Sequence, residues 1–383
     1  MIKLKIRESF HFYIRNLIIL LGFIIVLSGC EKNILEHYVP PDPDPDPDTT
    51  LKSFENGIFI INEGNFNWGN ASVSFIDKTD YTVEQDIFQQ ANDRTLGDVA
   101  QSMKVFNNMG FIVVNNSNSV EVVSLKDFKS IATITGFNSP RQIEIIDSTK
   151  AYVTNMLKDI AVVDLKKFTI TKTIKLSDWT ESMIRFNDYI FVTNIGSYNS
   201  PNSKRKAKIQ IISTTDDQIV DSIITGKEPV SILVDRKEKM WVLCTGGFDN
   251  YEPPTLLRID PVLKMVEKTF TFEQGAGTPS RLCMNPTGDT LYYLNNGLYS
   301  MPVSAADLPS QPLIPSDGHL FYGLGINPEN GNIFISDAVD YVQNGWIYQY
   351  NQSDGKLIRT FPAGRIPGSF CFSGSVRQSR KIQ

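Results

Sequence analysis

The chain has 383 residues, 41% of them apolar and 11% aromatic, which suffices for one large domain or two ordinary ones with a substantial core. The formal net charge is −5; the first 29 residues carry four basic side chains and one acidic one, which leaves −8 on the remainder. A body that acidic lacks the positive surface that displaces counterions from a polynucleotide, so a nucleic-acid partner is excluded.

At the amino terminus a basic stretch with Lys3, Lys5, Arg7 and Arg15 precedes an apolar run from Leu17 to Leu27. Eleven residues are too few for a permanent membrane helix and match a cleaved signal. The run ends Leu27-Ser28-Gly29-Cys30, which resembles a bacterial lipobox. That resemblance implies a signal peptide over 1–29, lipidation of Cys30 and attachment of the protein to a membrane. Residues 30–52 are expected to be a tether. In Pro40-Pro41-Asp42-Pro43-Asp44-Pro45-Asp46-Pro47-Asp48, rigid rings alternate with like charges, so the segment stays extended.

From residue 53 the chain repeats. An apolar run ending on a small polar residue recurs seven times, closing on Asn62, Asn115, Asn155, Asn194, Cys244, Asn295 and Asp337. The intervals lie between 39 and 53 residues, the range of propeller blades. A second apolar strand pattern follows each copy, beginning at Val73, Val120, Ile160, Ile209, Leu256, Leu298 and Ile347. A third apolar stretch precedes each copy except the first, seeded by Met103, Ile143, Met183, Ile232, Leu282 and Leu324; an unmatched one follows the last copy at Phe370. A sandwich of unrelated strands gives no reason for such order. The pattern predicts an all-β, seven-bladed β-propeller over 53–374, with a tail at 375–383. The segment near Phe370 should become the inner strand of the blade begun at Ile58–Asn62 and close the ring, which removes the exposed edge of an open sheet. Inner strands are expected near 101, 141, 181, 230, 280 and 322, apolar on both faces because blades pack on both sides.

Two sets of loops should share the upper face. The loops after the tags are long in blades 7 and 1 and in blades 4 and 5, which predicts two walls and a cleft between them. Blade 1 offers Asn65, Phe66 and Trp68; blade 4 offers Tyr198; blade 5 offers Phe248, Asn250 and Tyr251; blade 7 offers Tyr341 and Trp346. Aromatic plates beside amide donors and acceptors suit a wide polar ligand. The loops entering the inner strands should supply the channel rim: Gln101, Arg141, Glu181, Val230, Ser280, Tyr322 and Gly368. Arg141 and Glu181 either orient a ligand or pair with each other. The basic run Lys204-Arg205-Lys206-Ala207-Lys208 in the blade 4 loop reads as solvated surface or an anion contact.

Catalysis is hard to build from these residues. Of three histidines only His319 falls in the repeat region, so a three-His metal site is impossible and a serine triad would rest on His319 alone. Besides Cys30, the chain has Cys244, Cys283 and Cys371, an odd number that completes no disulfide framework and matches no metal spacing. No cofactor, no metal and no enzymatic activity are expected.

The copy Tyr152-Val153-Thr154-Asn155 spells the YVTN repeat of bacterial surface propellers, and Phe191-Val192-Thr193-Asn194 nearly does. The opening Ile60-Ile61-Asn62-Glu63-Gly64-Asn65-Phe66, with Gly69-Asn70-Ala71-Ser72 behind it, resembles the start of lipoprotein propellers of gut Bacteroidetes. The resemblance spans about residues 56–373. That group includes surface lipoproteins that capture cobalamin (vitamin B12) for TonB-dependent outer-membrane transporters; others accompany glycan-uptake systems. The resemblance thus implies a lipid-anchored, surface-exposed outer-membrane protein that captures a small-molecule ligand, cobalamin or glycan. A propeller that only binds other proteins is the alternative.

Overall fold

The computed structural model describes residues 53–196, 206–247, 252–275 and 277–374. The lipobox and tether, the 375–383 tail, and the loop positions Tyr198, Phe248, Asn250 and Tyr251 lie outside them, as do Lys204 and Arg205. The described chain forms seven antiparallel four-stranded sheets, each built in the order inner strand, tag strand, third strand, outer strand. Inner strands begin at Ala100, Pro140, Thr180, Pro229, Ser280 and Phe321, each within a residue of the expected position. The seventh is Pro367–Phe372, which pairs antiparallel with the first tag strand, Ile60 opposite Phe370. It also touches the inner strands of blades 2 and 7, so the ring is closed.

Burial falls differently from the expectation for inner strands. The tag strands are the ones covered on both faces, as in Ile58–Ile61 and in Met240–Cys244, where every residue is buried. Each tag strand lies mid-blade with a neighbouring blade on either side, and its apolar residues fill the seams between blades. Inner strands border the axis and are largely half-exposed, which lets them carry Gln101, Ser102, Lys104, Arg141, Gln142 and Glu144. A polar side chain is tolerated there because the channel admits water.

Every inner strand is bulged just after its first residue. The register slips between Ala100 and Ser102, Pro140 and Ile143, Thr180 and Met183, Pro229 and Ser231, Ser280 and Cys283, Phe321 and Leu324, and beside Pro367. A bulge breaks the ladder and re-aims side chains. Hydroxyls supply the lost bonds. Thr154 Oγ1, at the third position of the tag, accepts from the Gln142 N–H (3.1 Å) and donates to the Glu181 carbonyl of the next blade (3.1 Å). Ser336 does the same for the Gly323 N–H (2.6 Å) and the Pro367 carbonyl (2.5 Å). Thr193 accepts from the Ser182 N–H (2.9 Å). In blades 1 and 2 the inner strand itself provides the hydroxyl: Ser369 donates to the Gln101 carbonyl and Ser102 to the Arg141 carbonyl.

The tag's final Asn caps the blade. Asn62 donates to Ser72 Oγ and Ser74 Oγ and accepts from the Gly364 N–H. Asn194 donates to the Asp178 carbonyl (2.6 Å), and Asn115 to the Pro140 carbonyl (3.0 Å).

Blade 1, like blade 6 with Ile314–Pro315, departs from the other blades in its outer edge. Its outer strand, Val83–Glu84, has two residues, paired only with Ile76 and Phe75. A short helix, Ile87–Asn92, follows and packs on the third strand, inserting Ile87 and Phe88 into the seam between blades 1 and 2. That seam is aromatic: Phe59, Phe75, Phe54 and Phe128 meet with ring centroids 5.0–5.5 Å apart. The helix thus supplies apolar surface that a two-residue strand cannot, at about 1.5–3 kcal/mol per large buried side chain.

The buried hydroxyl bonds predict the effect of Thr154→Val, which keeps the shape and deletes the hydroxyl. The Gln142 N–H and Glu181 carbonyl lose their partner inside the seam, so stability should fall by about 1–3 kcal/mol. Denaturant unfolding measures this; an unchanged midpoint would show that the hydroxyl bridge contributes nothing.

Candidate functional site at the channel mouth

The bulge places one residue of each inner strand at the upper mouth of the channel: Gln101, Arg141, Glu181, Val230, Arg281, Tyr322 and Gly368. Six match the sequence expectation. In blade 6 the rim residue is Arg281, not Ser280, which pairs with Leu294 as the first strand residue. In every blade the rim residue is the second of its inner strand, so blade 6 is regular, and the expectation lies one residue early because it is seeded on Leu282 instead of Cys283. What sets blade 6 apart is the backbone of Arg281, which is left-handed (φ +56°). A non-glycine residue held so stores roughly 1–3 kcal/mol of strain.

Two clusters form around the mouth. Arg141 and Glu181, from blades 3 and 4, make a forked ion pair with Nε at 3.0 and 2.9 Å from the two carboxylate oxygens and Nη2 at 2.5 Å from Oε1. Burial works against the Arg141 charge; Glu181 more than offsets this and holds its pKa above the ordinary value, with Glu63 and Tyr322 adding to the effect from across the mouth.

The second cluster centres on Glu63, the residue after the first tag, which sequence reasoning had not selected. Its Oε2 accepts from the Tyr322 hydroxyl at 3.0 Å, and Arg281 Nη2 lies 3.6 Å from Oε1. Arg281 Nε donates to the Tyr322 carbonyl (3.0 Å), and its guanidinium stacks 5.1 Å from the Tyr322 ring centroid. Burial, and then the Glu63 charge, raise the Tyr322 pKa, so the phenol remains a donor. Gly368 makes room: a Cβ there would come within 2.4 Å of Glu63 Oε1. A glycine at the bulge of blade 1 was the available signal that a neighbouring side chain folds over it.

The blade 1 and blade 7 loops form a wall beside the mouth. Asn65 and Asn70 are cross-bonded, the Asn65 N–H donating to Asn70 Oδ1 (2.7 Å) and Asn70 Nδ2 to Asn65 Oδ1 (3.3 Å). Asn65 Nδ2 reaches the Tyr341 carbonyl (2.6 Å) and Asn67 accepts from Asn116, so the loop is tied to blades 7 and 2. Phe66 and Trp68 are left 65% and 70% exposed on this fixed frame. Tyr341 meets Tyr322 edge-on at 5.7 Å and joins wall to mouth. Trp346 is exposed too, but it lies within the third strand Asn344–Tyr350, opposite Asp337, rather than in the loop expected there.

His319 sits apart from the mouth cluster. Its Nδ1 is 2.8 Å from Asp337 Oδ2 and 3.2 Å from the Tyr348 hydroxyl, and its ring stacks on Phe321. The Asp that replaces Asn at the end of the seventh tag thus orients this histidine. Among the described residues no serine or cysteine side chain is bonded to it, and no group of three His, Cys, Asp or Glu side chains is placed to hold a metal ion.

Fold and mouth together define a seven-bladed β-propeller with a charge-balanced, aromatic-flanked opening. The chain belongs to the DUF5074 family, described as a domain of unknown function, whose model matches residues 56–366. No curated protein matches it. Among solved structures it is similar to a quinonprotein alcohol dehydrogenase-like protein of Bacteroides thetaiotaomicron (17% identity, TM-score 0.64, covering 84% of this chain and 79% of that one). It is also similar to a putative 6-phosphogluconolactonase of Bacteroides uniformis (12%, TM-score 0.61, 83% and 99%). A third is the periplasmic gluconolactonase of Pseudomonas aeruginosa (10%, TM-score 0.62, 83% and 99%). Identities this low speak for shared fold alone.

The forked pair gives a direct test. Arg141→Met leaves the Glu181 carboxylate half-buried without its partner and should cost roughly 1–3 kcal/mol. Adding Glu181→Met should restore part of that loss in a double-mutant cycle of unfolding free energies. Additive losses would mean the two side chains do not interact.

Proposed function

We propose that this domain is a non-catalytic ligand-capture propeller that binds a large polar ligand over the upper mouth. The observation that carries this reading is the convergence of Glu63, Arg141, Glu181, Arg281 and Tyr322 from five blades beside the fixed wall of Phe66, Trp68 and Tyr341. The charges are matched in pairs, so the mouth offers donors and acceptors without strong net charge. That favours a ligand rich in amides or hydroxyls over a free anion. Exposed aromatics on a braced loop add contact area with little ordering cost. His319 finds carboxylate and phenol partners rather than a nucleophile, which supports binding over hydrolysis.

The YVTN-type resemblance makes cobalamin the first ligand to test. Calorimetric titration with cyanocobalamin should show binding by the wild type, and Tyr322→Phe and Arg281→Met should each weaken it about 10-fold, equivalent to ~1.4 kcal/mol. A wild type that binds no cyanocobalamin sinks the corrinoid reading; variants that bind like wild type move the site off the mouth.

The same reading includes a lipid anchor at Cys30, surface exposure on the outer membrane and a TonB-dependent transporter as partner. The motif Leu27-Ser28-Gly29-Cys30 and the proline-aspartate tether support it. Cys30→Ala should release the protein from the membrane fraction of cells; a variant still sedimenting with membranes argues for another attachment.

A further inference from the structure

Blade 1 carries a second candidate site, which shares Trp68 with the wall beside the channel mouth. Its two-residue outer strand covers only the lower end of the third strand, and no outer-strand residue stands opposite Ser72, Val73 or Ser74. In blades 2, 3, 4, 5 and 7 the outer strand runs six to nine residues and covers this edge. The gap is a notch of about 430 Å³, floored by Ala71 and Ser72. The segment around Gln89 and Thr95 walls one side, Asn344 and Arg365 of blade 7 the other, and Trp68 stands at its rim. That volume falls in the range of small-ligand sites, roughly 300–1,000 Å³.

The walls are braced. Asn92 Nδ2 donates to the Phe128 carbonyl and its Oδ1 accepts from the Ser130 N–H. Arg94 is paired with the buried Glu121 at 2.7 Å and stacks on Phe88. On the opposite wall Arg365 lines the notch, and its Nε donates to the Val342 carbonyl (2.9 Å), which fixes the guanidinium. Asp86 contributes a carboxylate from the half-buried chain before the helix.

The chemistry narrows the occupant. One Arg balanced by one Asp does not make an anion site, and polar walls do not suit a lipid tail. A single exposed indole, a carboxylate, a guanidinium and the amides of Gln89 and Asn344 match a molecule with one apolar C–H face and a rim of hydroxyls. We propose that this notch binds one pyranose ring, stacked on Trp68, with its hydroxyls bonded to Asp86, Gln89, Asn344 and Arg365. Trp68 is shared with the mouth wall, whereas Asp86, Gln89, Asn344 and Arg365 belong to the notch, so the Asp86 variant separates this site from the mouth.

The test is saturation-transfer NMR and calorimetry on the full chain with the methyl glycosides of glucose, galactose, mannose and N-acetylglucosamine. At least one should bind. Trp68→Ala should weaken it at least 10-fold and Asp86→Asn at least 5-fold, while Thr287→Ala in a lower-face turn leaves it unchanged. Thermal melting of each variant separates lost binding from lost fold, and Arg365→Met serves as a further wall variant should Trp68→Ala prove unstable. Binding of none of the four glycosides, or equal binding by the Trp68 and Asp86 variants, overturns the proposal. A protein that takes a glycoside but not cyanocobalamin removes only the corrinoid reading of the mouth; the reverse removes only the notch.

Discussion

The inner-strand bulge is the constraint from which the ring and its mouth both follow. A bulge leaves an N–H and a carbonyl outside the ladder, and at a seam between blades such groups are costly to leave unbonded. Here the carbonyls of Gln101, Arg141, Glu181, Tyr322 and Pro367 are each taken up by a side chain of the preceding blade. One set of bonds therefore satisfies the backbone, sets the angle between neighbouring blades and aims a side chain at the axis. The donors differ: two are serines of inner strands, two are hydroxyls of the tag, and one is the Arg281 guanidinium. The requirement belongs to the backbone, and the sequence meets it with whatever hydrogen-bonding group lies in reach.

This explains what was readable in the chain and what was not. The tags announce themselves because a strand covered on both faces must be apolar throughout, as in Tyr152-Val153 or Trp241-Val242-Leu243. Inner strands are harder to read. Their polar residues look like loop, although Gln101, Arg141 and Glu181 lie in strands beside a wet channel. Spacing located the bulge column everywhere but blade 6, where the apolar pair Leu282-Cys283 set the expected strand one residue early. Glu63 escaped notice because its role arises from groups hundreds of residues away, Arg281, Tyr322 and Gly368, and no local pattern announces such a contact. The helix Ile87–Asn92 escaped too: six residues carry little periodicity, and its reason to exist is a two-residue outer strand.

The mouth and the notch have different physical origins. The mouth arises from what all blades share, a bulge at the axis, varied by the side chain each blade places there. The notch arises where blade 1 leaves the upper end of its third strand uncovered; blade 6 has an equally short outer strand, Ile314–Pro315, but sets it against that end, opposite Leu298 and Gly297. Repetition fixes the scaffold, and a local departure from it creates the concavity. The charge pairs at the mouth also limit its chemistry: with Arg141 held by Glu181 and Arg281 by Glu63, a ligand meets oriented dipoles more than free charge.

The closing strand has a topological consequence. Gly57 N–H donates to Ser373 Oγ at 2.8 Å, the Ser373 N–H returns to the Gly57 carbonyl, and the same hydroxyl reaches the Phe54 carbonyl. The two ends of the domain thus leave the ring side by side. The backbone is in effect a circle cut once, and the position of the cut is not dictated by any strand pair. Within the closed ring, first and last are properties of the gene's reading direction and not of the fold, and a circularly permuted chain opened at another lower-face turn would contain the same seven sheets.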